Sequence, residues 1–363
     1  MKIFLLGDGG SSHIQKWVQG LAGQGLEIGL FSLHHFNEEP YKNLPGFTVL
    51  NNPASRAARS VFSKLGYLKH GTNIKKQLQL FRPDILHAHY ATSYGLLAAR
   101  AKFKPLIISA WGSDVYDFPK GSALHKRLLK NVLGKADLIC STSQCMKEET
   151  QKYTRTKIEV VPFGVDTDLF SPQEKPATPE ITIGIIKSLE KKYGIEFLIK
   201  AFKGTLDMNP GKKLRLLIVG DGSRRAEYEQ LCKTLGIADQ VIFTGRVNHA
   251  EIARYHRQID IFVSLSVLDS ESFGVSLVEA MACGKPVVAS DVAGFKEVLG
   301  GDGCGILVPR NDWKAAALAI NEYIQNPQKA REAGSRARQR VLRHYNWKKN
   351  LERMIAIYEI FTR

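Results

Sequence analysis

The run Glu271-Ser272-Phe273-Gly274-Val275-Ser276-Leu277-Val278-Glu279-Ala280-Met281-Ala282-Cys283-Gly284-Lys285-Pro286-Val287-Val288 sets two carboxylates eight positions apart around a glycine. Residues 274 to 283 predict a helix, and the apolar residues after Pro286 predict a strand. Gly274 then lies at the helix N-terminus, where free backbone N–H groups and the positive end of the dipole attract an anion. On an uninterrupted helix, positions 271 and 279 would stand about 12 Å apart along the axis. That exceeds the roughly 5–9.5 Å between the two carboxyl groups of a glycosidase. Carboxylates so far apart suit two separate sets of polyol hydroxyls with a phosphate between them. A sugar nucleotide presents that order: sugar, diphosphate, ribose. The plainer alternative is an amphipathic helix with solvated glutamates.

Three other places carry chemistry. The apolar run Ile181-Thr182-Ile183-Gly184-Ile185-Ile186 predicts a strand ending at Lys187, and Gly194 opens the helix that follows. A lysine at the carboxyl end of such a strand points to where ligands collect. Lys187 and Lys192 together can neutralise a leaving diphosphate, and Lys191 could serve in place of Lys192. The turn Gly7-Asp8-Gly9-Gly10-Ser11-Ser12 suits close approach to a phosphate. It matches neither Gly-x-Gly-x-x-Gly nor a Walker pattern, and a tight turn explains it equally well. In His87-Ala88-His89-Tyr90, alternation puts both imidazoles on one side of a strand. His89 lies at its carboxyl end, within reach of a second substrate.

These residues need scaffolds, and the chain is long enough for two domains at 363 residues. Short β-rich runs alternate with helical stretches, which predicts parallel α/β architecture. In the first half strands fit 2–7, 27–33, 47–51, 84–89, 105–110, 137–142 and 158–162. Helices there fit 12–24, 55–80, 92–102, 121–134 and 144–152. In the second half strands fit 181–187, 214–219, 241–244, 259–264, 286–289 and 305–308. Helices there fit 194–207, 223–235, 249–257, 274–283, 312–325 and 328–344, with a last one at 347–361. The stretch Ser171-Pro172-Gln173-Glu174-Lys175-Pro176-Ala177-Thr178-Pro179 is rich in proline and reads as the boundary. The division is thus 1–174 and 175–346, each half a doubly wound parallel sheet, facing each other across a cleft.

Composition removes several classes. An apolar fraction of 44% is that of an ordinary globular protein. Five cysteines without a Cys-x-x-Cys pair indicate buried reduced thiols rather than disulfides or zinc ligands. No apolar run approaches the roughly 20 residues of a membrane span, and Met1-Lys2-Ile3-Phe4-Leu5-Leu6-Gly7-Asp8 reads as a first strand, not a leader. These features predict a cytoplasmic protein. The net charge is +16, and the basic excess gathers between Asn52 and Ser113, where Asp84 is the lone acid. From Arg56 to Lys76 the charge mixes with Val61, Phe62, Leu65, Tyr67 and Leu68. Such a segment can lie on an anionic membrane surface, placing the protein at the inner face of the cell membrane, or can be a solvated helix. No nucleic-acid recognition motif accompanies it.

The Glu-x-Phe-Gly-x-x-x-x-Glu-Ala-x-Ala-x-Gly-x-Pro-Val run resembles the signature of glycosyltransferase family 4, retaining enzymes of the GT-B fold. The likeness continues through Val161-Pro162-Phe163-Gly164-Val165-Asp166, Leu217-Ile218-Val219-Gly220-Asp221-Gly222, Val241-Ile242-Phe243-Thr244-Gly245-Arg246-Val247 and Ala289-Ser290-Asp291-Val292-Ala293-Gly294 with Glu297. The resemblance implies that Glu279 holds the donor's ribose, and that Glu271 holds the transferred sugar and steadies the cationic transition state. It implies further donor contacts from Gly10, Val247 and the backbone of Phe273, Gly274 and Val275. The segment 347–363 would cross back onto the first domain. Two departures stand out. The family usually has Arg at position 187 and Lys-Gly at the second lysine, whereas here Tyr193 separates Lys192 from Gly194. It also usually carries a histidine where this chain has Trp111. Either His89 or Asp114 takes that task, or the acceptor pocket differs, with Trp111 as a stacking face for a sugar.

The resulting expectation is a retaining hexosyltransferase that moves sugar from a nucleotide diphosphate sugar to a hydroxyl of a carbohydrate or lipid-linked acceptor. It would serve the assembly of a surface polysaccharide or glycolipid such as lipopolysaccharide, without cofactor or metal. Asp166-Thr167-Asp168 has the Asp-x-Asp form that binds a divalent ion in another glycosyltransferase fold, but its place after the Pro-Phe-Gly-Val segment reads as turn chemistry. A sugar-nucleotide 2-epimerase of the same fold and a nicotinamide-dependent oxidoreductase are the alternatives.

Overall fold

The computed structural model describes residues 1–53, 71–173 and 179–362. By internal contacts the chain divides into Met1–Pro162 with Lys348–Arg363, and Phe163–Trp347.

In the first unit, β1 (Lys2–Leu6), β2 (Glu27–Phe31), β3 (Phe47–Asn51), β4 (Ile85–His89), β5 (Leu106–Ser109), β6 (Leu138–Ser141) and β7 (Ile158–Val160) form one parallel sheet. Its order is β3-β2-β1-β4-β5-β6-β7. Between the strands run α1 (Ser12–Gly23), α2 (Gly71–Phe81), α3 (Tyr94–Ala101), α4 (Ser113–Tyr116), α5 (Ala123–Leu133) and α6 (Gln144–Gln151). Parallel strands need crossovers, and the helices cover both faces, so β1 and β4 to β6 are almost wholly apolar and buried. Ile74 and Leu78 of α2, Leu97 of α3, and Leu129 and Val132 of α5 join Phe4, Phe31, Leu86 and Ile108 in a single core cluster. Those three helices therefore share one face of the sheet.

The second unit repeats the plan with β8 (Glu180–Ile186), β9 (Lys213–Val219), β10 (Val241–Phe243), β11 (Ile261–Ser264), β12 (Val287–Ser290) and β13 (Ile306–Val308), ordered β10-β9-β8-β11-β12-β13 and parallel throughout. Its helices are α7 (Ile195–Met208), α8 (Arg225–Thr234), α9 (Ile252–Gln258), α10 (Val275–Ala282), α11 (Ala293–Leu299), α12 (Trp313–Gln325) and α13 (Pro327–His344). The chain ends in α14 (Trp347–Ile360). In each sheet the strand order reverses once, between β1 and β4 and between β8 and β11. The loops leaving those pairs diverge and open a crevice at the strands' carboxyl ends.

Every strand lies where the alternation of the sequence puts it, with ends shifted by one or two residues. The short helices α4 and α11 were not predicted; the four residues of α4 are too few to show a helical period. The boundary expected at 174/175 falls earlier. Val165 N–H donates to the Tyr345 carbonyl at 2.8 Å, and the Val165 carbonyl accepts from Trp347 N–H at 2.9 Å. The Arg338 guanidinium donates to the carbonyls of Thr167 and Phe170. These bonds commit residues from Phe163 onward to the second unit, ahead of the proline-rich stretch. Positions 54–70, and with them most of the basic segment Arg56–Lys76, lie outside the described residues. The five cysteines form no disulfide, and four of them are buried.

One glycine fixes the approach of α7 to the sheet. Gly194 caps that helix at φ +66°, and a Cβ there would stand 1.8 Å from the Leu265 carbonyl oxygen. Gly236 has φ +67° and open space around it. Gly236→Ala should cost only the left-handed strain of about 1–2 kcal/mol. Gly194→Ala should cost clearly more, read as a lower midpoint in thermal or urea unfolding. Equal losses would mean that α7 moves off the sheet without penalty.

Candidate functional site

In the second unit the site grows from the two central strands. Lys187 follows β8, its N–H continuing the ladder to the Val219 carbonyl at 2.9 Å. Its ammonium lies 2.7 Å from Oε2 of Glu271, which sits in the loop after β11; the two side chains are only 18% and 11% exposed. Burial pulls the Lys187 ammonium toward the neutral form, but the facing Glu271 carboxylate, with Tyr193 and Glu279, outweighs it, and the net shift is upward. Lys187 therefore stays cationic at neutral pH.

Tyr193, which interrupts the expected Lys-Gly pair, has a place in this arrangement. Lys187 Nζ stands 4.4 Å and Lys192 Nζ 4.9 Å from its ring centroid. The ring thus gathers both lysines, while Lys191 is exposed. The Val267 N–H donates to the Lys192 carbonyl at 2.9 Å, pinning this turn to the loop after β11. That loop is anchored again at Asp269, which takes both terminal nitrogens of Arg310 and the N–H of Ala293.

The helix carrying Glu279 starts at Val275, so Glu271 is not on it and the uninterrupted spacing of the sequence reading does not apply. Gly274 turns the chain at φ +74°, where a Cβ would meet the Phe295 ring at 2.5 Å. Val278 N–H makes the first intrahelical bond, to Gly274 O at 3.1 Å, so the preceding N–H groups have no acceptor in the helix. Phe273 is buried, its ring against Phe163 and Tyr345, and only its backbone can serve a ligand. Glu279, one turn down, is buried, with Oε2 3.1 Å from His256 Nε2. Lys187 feels both carboxylates, so the structure brings Lys187, Glu271 and Glu279 into one electrostatic neighbourhood. Val247 is half-buried in the loop after β10, which a Gly220 N–H to Gly245 carbonyl bond of 3.1 Å ties to the end of β9.

In the first unit, Gly10 is exposed in the turn after β1, its N–H on Asp8 Oδ1 at 3.0 Å. The His87 and His89 rings lie 4.2 Å apart between centroids, tilted by 32°; both are buried, and they differ in their bonds. His87 bridges the Tyr358 hydroxyl at 2.7 Å and the Ser109 hydroxyl at 2.8 Å. Both ring nitrogens of His89 lack a hydrogen-bond partner among the described residues, and its ring meets the half-buried Trp111 edge-on at 5.4 Å. Burial and then the neighbouring His13 push the His89 imidazole down to about 3. Asp114 is fully buried and accepts the N–H groups of Ala91, Trp111 and Gly112. Its carboxylate holds the turns after β4 and β5 together; burial raises its pKa against those bonds.

Asp166 Oδ1 accepts the N–H groups of Asp168 and Leu169, a side-chain-closed turn. Among the described residues no three His, Cys, Asp or Glu side chains are grouped to hold a metal ion. The sequence reading missed His256, Tyr358, Asp269 and Arg310. Each acts through a partner far along the chain, and no local pattern marks such a pair.

Two family models match the chain: "Glycosyl transferases group 1" over residues 166–340 and "Glycosyl transferase 4-like" over 2–143. The N-acetyl-alpha-D-glucosaminyl L-malate synthase of Bacillus anthracis is 26% identical over 290 residues, covering 76% of this chain and 74% of that protein. The phosphatidyl-myo-inositol mannosyltransferase of Mycobacterium leprae is 32% identical over 204 residues, covering 55% and 52%. The Anabaena protein HepE, solved with UDP and glucose, superposes with TM-score 0.78 at 20% identity, covering 99% of each chain. The last likeness establishes the GT-B fold.

The two buried imidazoles set a pH dependence. Both are held below the ordinary histidine value, so the unfolded chain binds more protons as the medium is acidified. The contribution of His89 is full above about pH 6.5 and is lost as pH falls from there toward 3; His87 acts in the same direction. At pH 5 the His89 ring should cost about 2 kcal/mol. His89→Leu should therefore lose less of its thermal midpoint between pH 7.5 and pH 5 than the parent. An unchanged pH slope would show that His89 is not held neutral.

Proposed function

We propose, for a chain that belongs to the group 1 glycosyltransferases, that it moves a hexosyl group from a nucleoside-diphosphate sugar to an acceptor hydroxyl with retention of configuration. The observation that carries this reading is the largely enclosed Lys187–Glu271 pair, set where the strand order of the second unit reverses. It offers one fixed cation and one fixed anion where a diphosphate and a developing sugar cation must lie side by side. Lys187, with Lys192, takes the charge that grows on the leaving diphosphate. Glu271 faces the transferred sugar, whose anomeric carbon becomes cationic. Glu279 takes the ribose hydroxyls, and the backbone N–H groups from Phe273 to Val275 take a phosphate oxygen. Val247 is assigned to the donor's nucleoside side. His89 and Trp111 line the acceptor side, positioned by Asp114.

No residue among these is a strong base at neutral pH. The acceptor proton is assigned to the departing phosphate, on the face where the new bond forms. No metal ion or cofactor is required, since the lysines supply the positive charge and the Asp-x-Asp turn is closed on its own backbone. Family membership favours transfer over both alternatives, donor isomerisation and hydride transfer. The UDP bound by a protein of the same fold makes uridine the first nucleoside to try.

The acceptor is assigned to a carbohydrate or lipid-linked glycan at an anionic membrane surface. No helix among the described residues is long and apolar enough to cross a membrane, so attachment would be peripheral. Support comes from the shared face of α2, α3 and α5. These helices expose Lys75, Lys76, Arg100, Lys126, Arg127 and Lys130 and contain no acid. Leu80 and Leu124 are exposed on the same helices at 68% and 74%.

Mass spectrometry of products from a panel of nucleotide sugars, with the anomer read by NMR, tests the reaction. An inverted anomer, an isomerised donor, or activity abolished by chelator and restored by a divalent ion would each contradict it. Lys187→Ala should lower turnover about 100- to 1,000-fold while donor affinity falls less. If turnover survives in Lys187→Ala and is lost in Lys191→Ala, the diphosphate lies elsewhere.

Association with anionic vesicles should weaken as salt rises, and again when Lys126, Arg127 and Lys130 become Gln. Each charge near the surface is worth about 1 kcal/mol. Equal co-sedimentation with neutral and anionic vesicles at low salt would leave an acceptor in solution.

A further inference from the structure

We infer that His256 is the positioning residue for Glu279, and that through this carboxylate it sets how strongly the protein prefers a ribonucleotide donor. This rests on the reading of Glu279 as the ribose ligand. His256 lies on α9 and is completely buried. Its ring sits between Phe170, at 5.8 Å, and Phe262, at 5.5 Å between centroids. Phenylalanine would fill that space without the cost of taking an imidazole out of water. What the imidazole adds is one bond. Nε2 stands 3.1 Å from Glu279 Oε2, and Nδ1 has no partner among the described residues. A carboxylate only accepts, so Nε2 is the donor.

The bond has a directional consequence. The Glu279 side chain is 8% exposed, and its terminal torsion is soft unless something holds it. With Oε2 tied to His256, the carboxylate plane is fixed, and Oε1 is the oxygen left for a ligand. A ribose presents two vicinal hydroxyls, and a held acceptor meets them without first losing rotational freedom. His256 thus acts through Glu279 and touches no substrate itself. Because the ribose takes no part in bond breaking, the contact is equally strong in the ground and transition states. Its loss should raise KM and leave kcat.

The test uses the full chain and calorimetry with UDP, GDP and ADP. The tightest of these is then compared with its 2′,3′-dideoxy counterpart. His256→Asn, whose amide is too short to reach Glu279, should weaken the ribonucleotide about tenfold, the weight of a charge-assisted bond. It should barely affect the dideoxy form, raise donor KM, and keep kcat within about twofold. His256→Gln, which can place an N–H near the position of Nε2, should restore most of the preference. In a Glu279→Gln background, His256→Asn should add nothing. Should the Asn variant fail to fold, His256→Phe keeps the ring volume, lacks the N–H, and carries the same expectation. If Glu279→Gln weakens binding while His256→Asn or Phe binds both nucleotides like the parent, the inference about His256 is wrong and the donor site stands. If Glu279→Gln itself leaves ribonucleotide affinity unchanged, the ribose assignment falls, and the role of His256 with it.

Discussion

A largely enclosed ion pair holds the second unit's site in shape. Lys187 leaves the end of β8, Glu271 stands in the loop after β11, and these are the two strands at which the sheet's winding reverses. Taking two charges out of water is expensive unless each finds the other in good geometry. At 2.7 Å they do, and the Tyr193 ring closes over the lysine. Neither charge can leave without stranding the other, so the loops that carry them are held at one separation. Turn, loop and helix start thus share an electrostatic constraint before any ligand arrives. This is preorganisation, in which the charges meant for a reaction are already desolvated and aimed.

Around that pair the backbone is fixed by contacts that leave no slack. Asp269 grips Arg310 with both oxygens and takes a backbone N–H as well, two residues before Glu271. Gly274 lets the chain turn directly against Phe295 and start α10 there. Phe273 is wedged between Phe163 and Tyr345. A loop usually carries functional groups at the expense of precision. Here each end is nailed to an element of the same unit, so a loop residue is placed as firmly as one on a strand.

The sheets were legible because their strands are buried on both faces and interrupted by helices of unlike period; nothing else writes that pattern. Lys187, Glu271, Gly274 and Glu279 were legible because strand ends and a helix start mark them locally. What the sequence could not show was pairing over distance. Tyr193 looked like a defect in the Lys-Gly spacing until its ring proved to gather both lysines. His256 lies 23 residues from its carboxylate. Tyr358 lies 271 residues from His87. Asp114 was read as a group that, with His89 as the other choice, takes the task of the histidine that the family usually carries where this chain has Trp111. Its carboxylate is spent on three backbone N–H groups that the sequence gives no means to foresee. The unit boundary was misplaced for a related reason: proline content marks a change of direction, whereas the backbone bonds of Val165 and the reach of Arg338 decide which sheet owns the segment.

The first unit adds a constraint on the chemistry. His87 is saturated by Tyr358 and Ser109, which ties α14 to the end of β4. His89 packs against that fixed ring, and its own nitrogens have no hydrogen-bond partner among the described residues. An imidazole held down to about 3 is neutral at pH 7 and can accept a hydrogen bond from a hydroxyl. It is nevertheless a poor base, since catalysis by proton transfer is best when the pKa lies near the working pH. Asp114, fully buried and engaged by three backbone N–H groups, does not stand in for it. Under the reading proposed above, this unit orients an acceptor hydroxyl without deprotonating it. Under the proposed reaction the proton must leave on a group the substrate brings. The departing phosphate, next to the nucleophile when both act on one face of the sugar, is the group that meets that need.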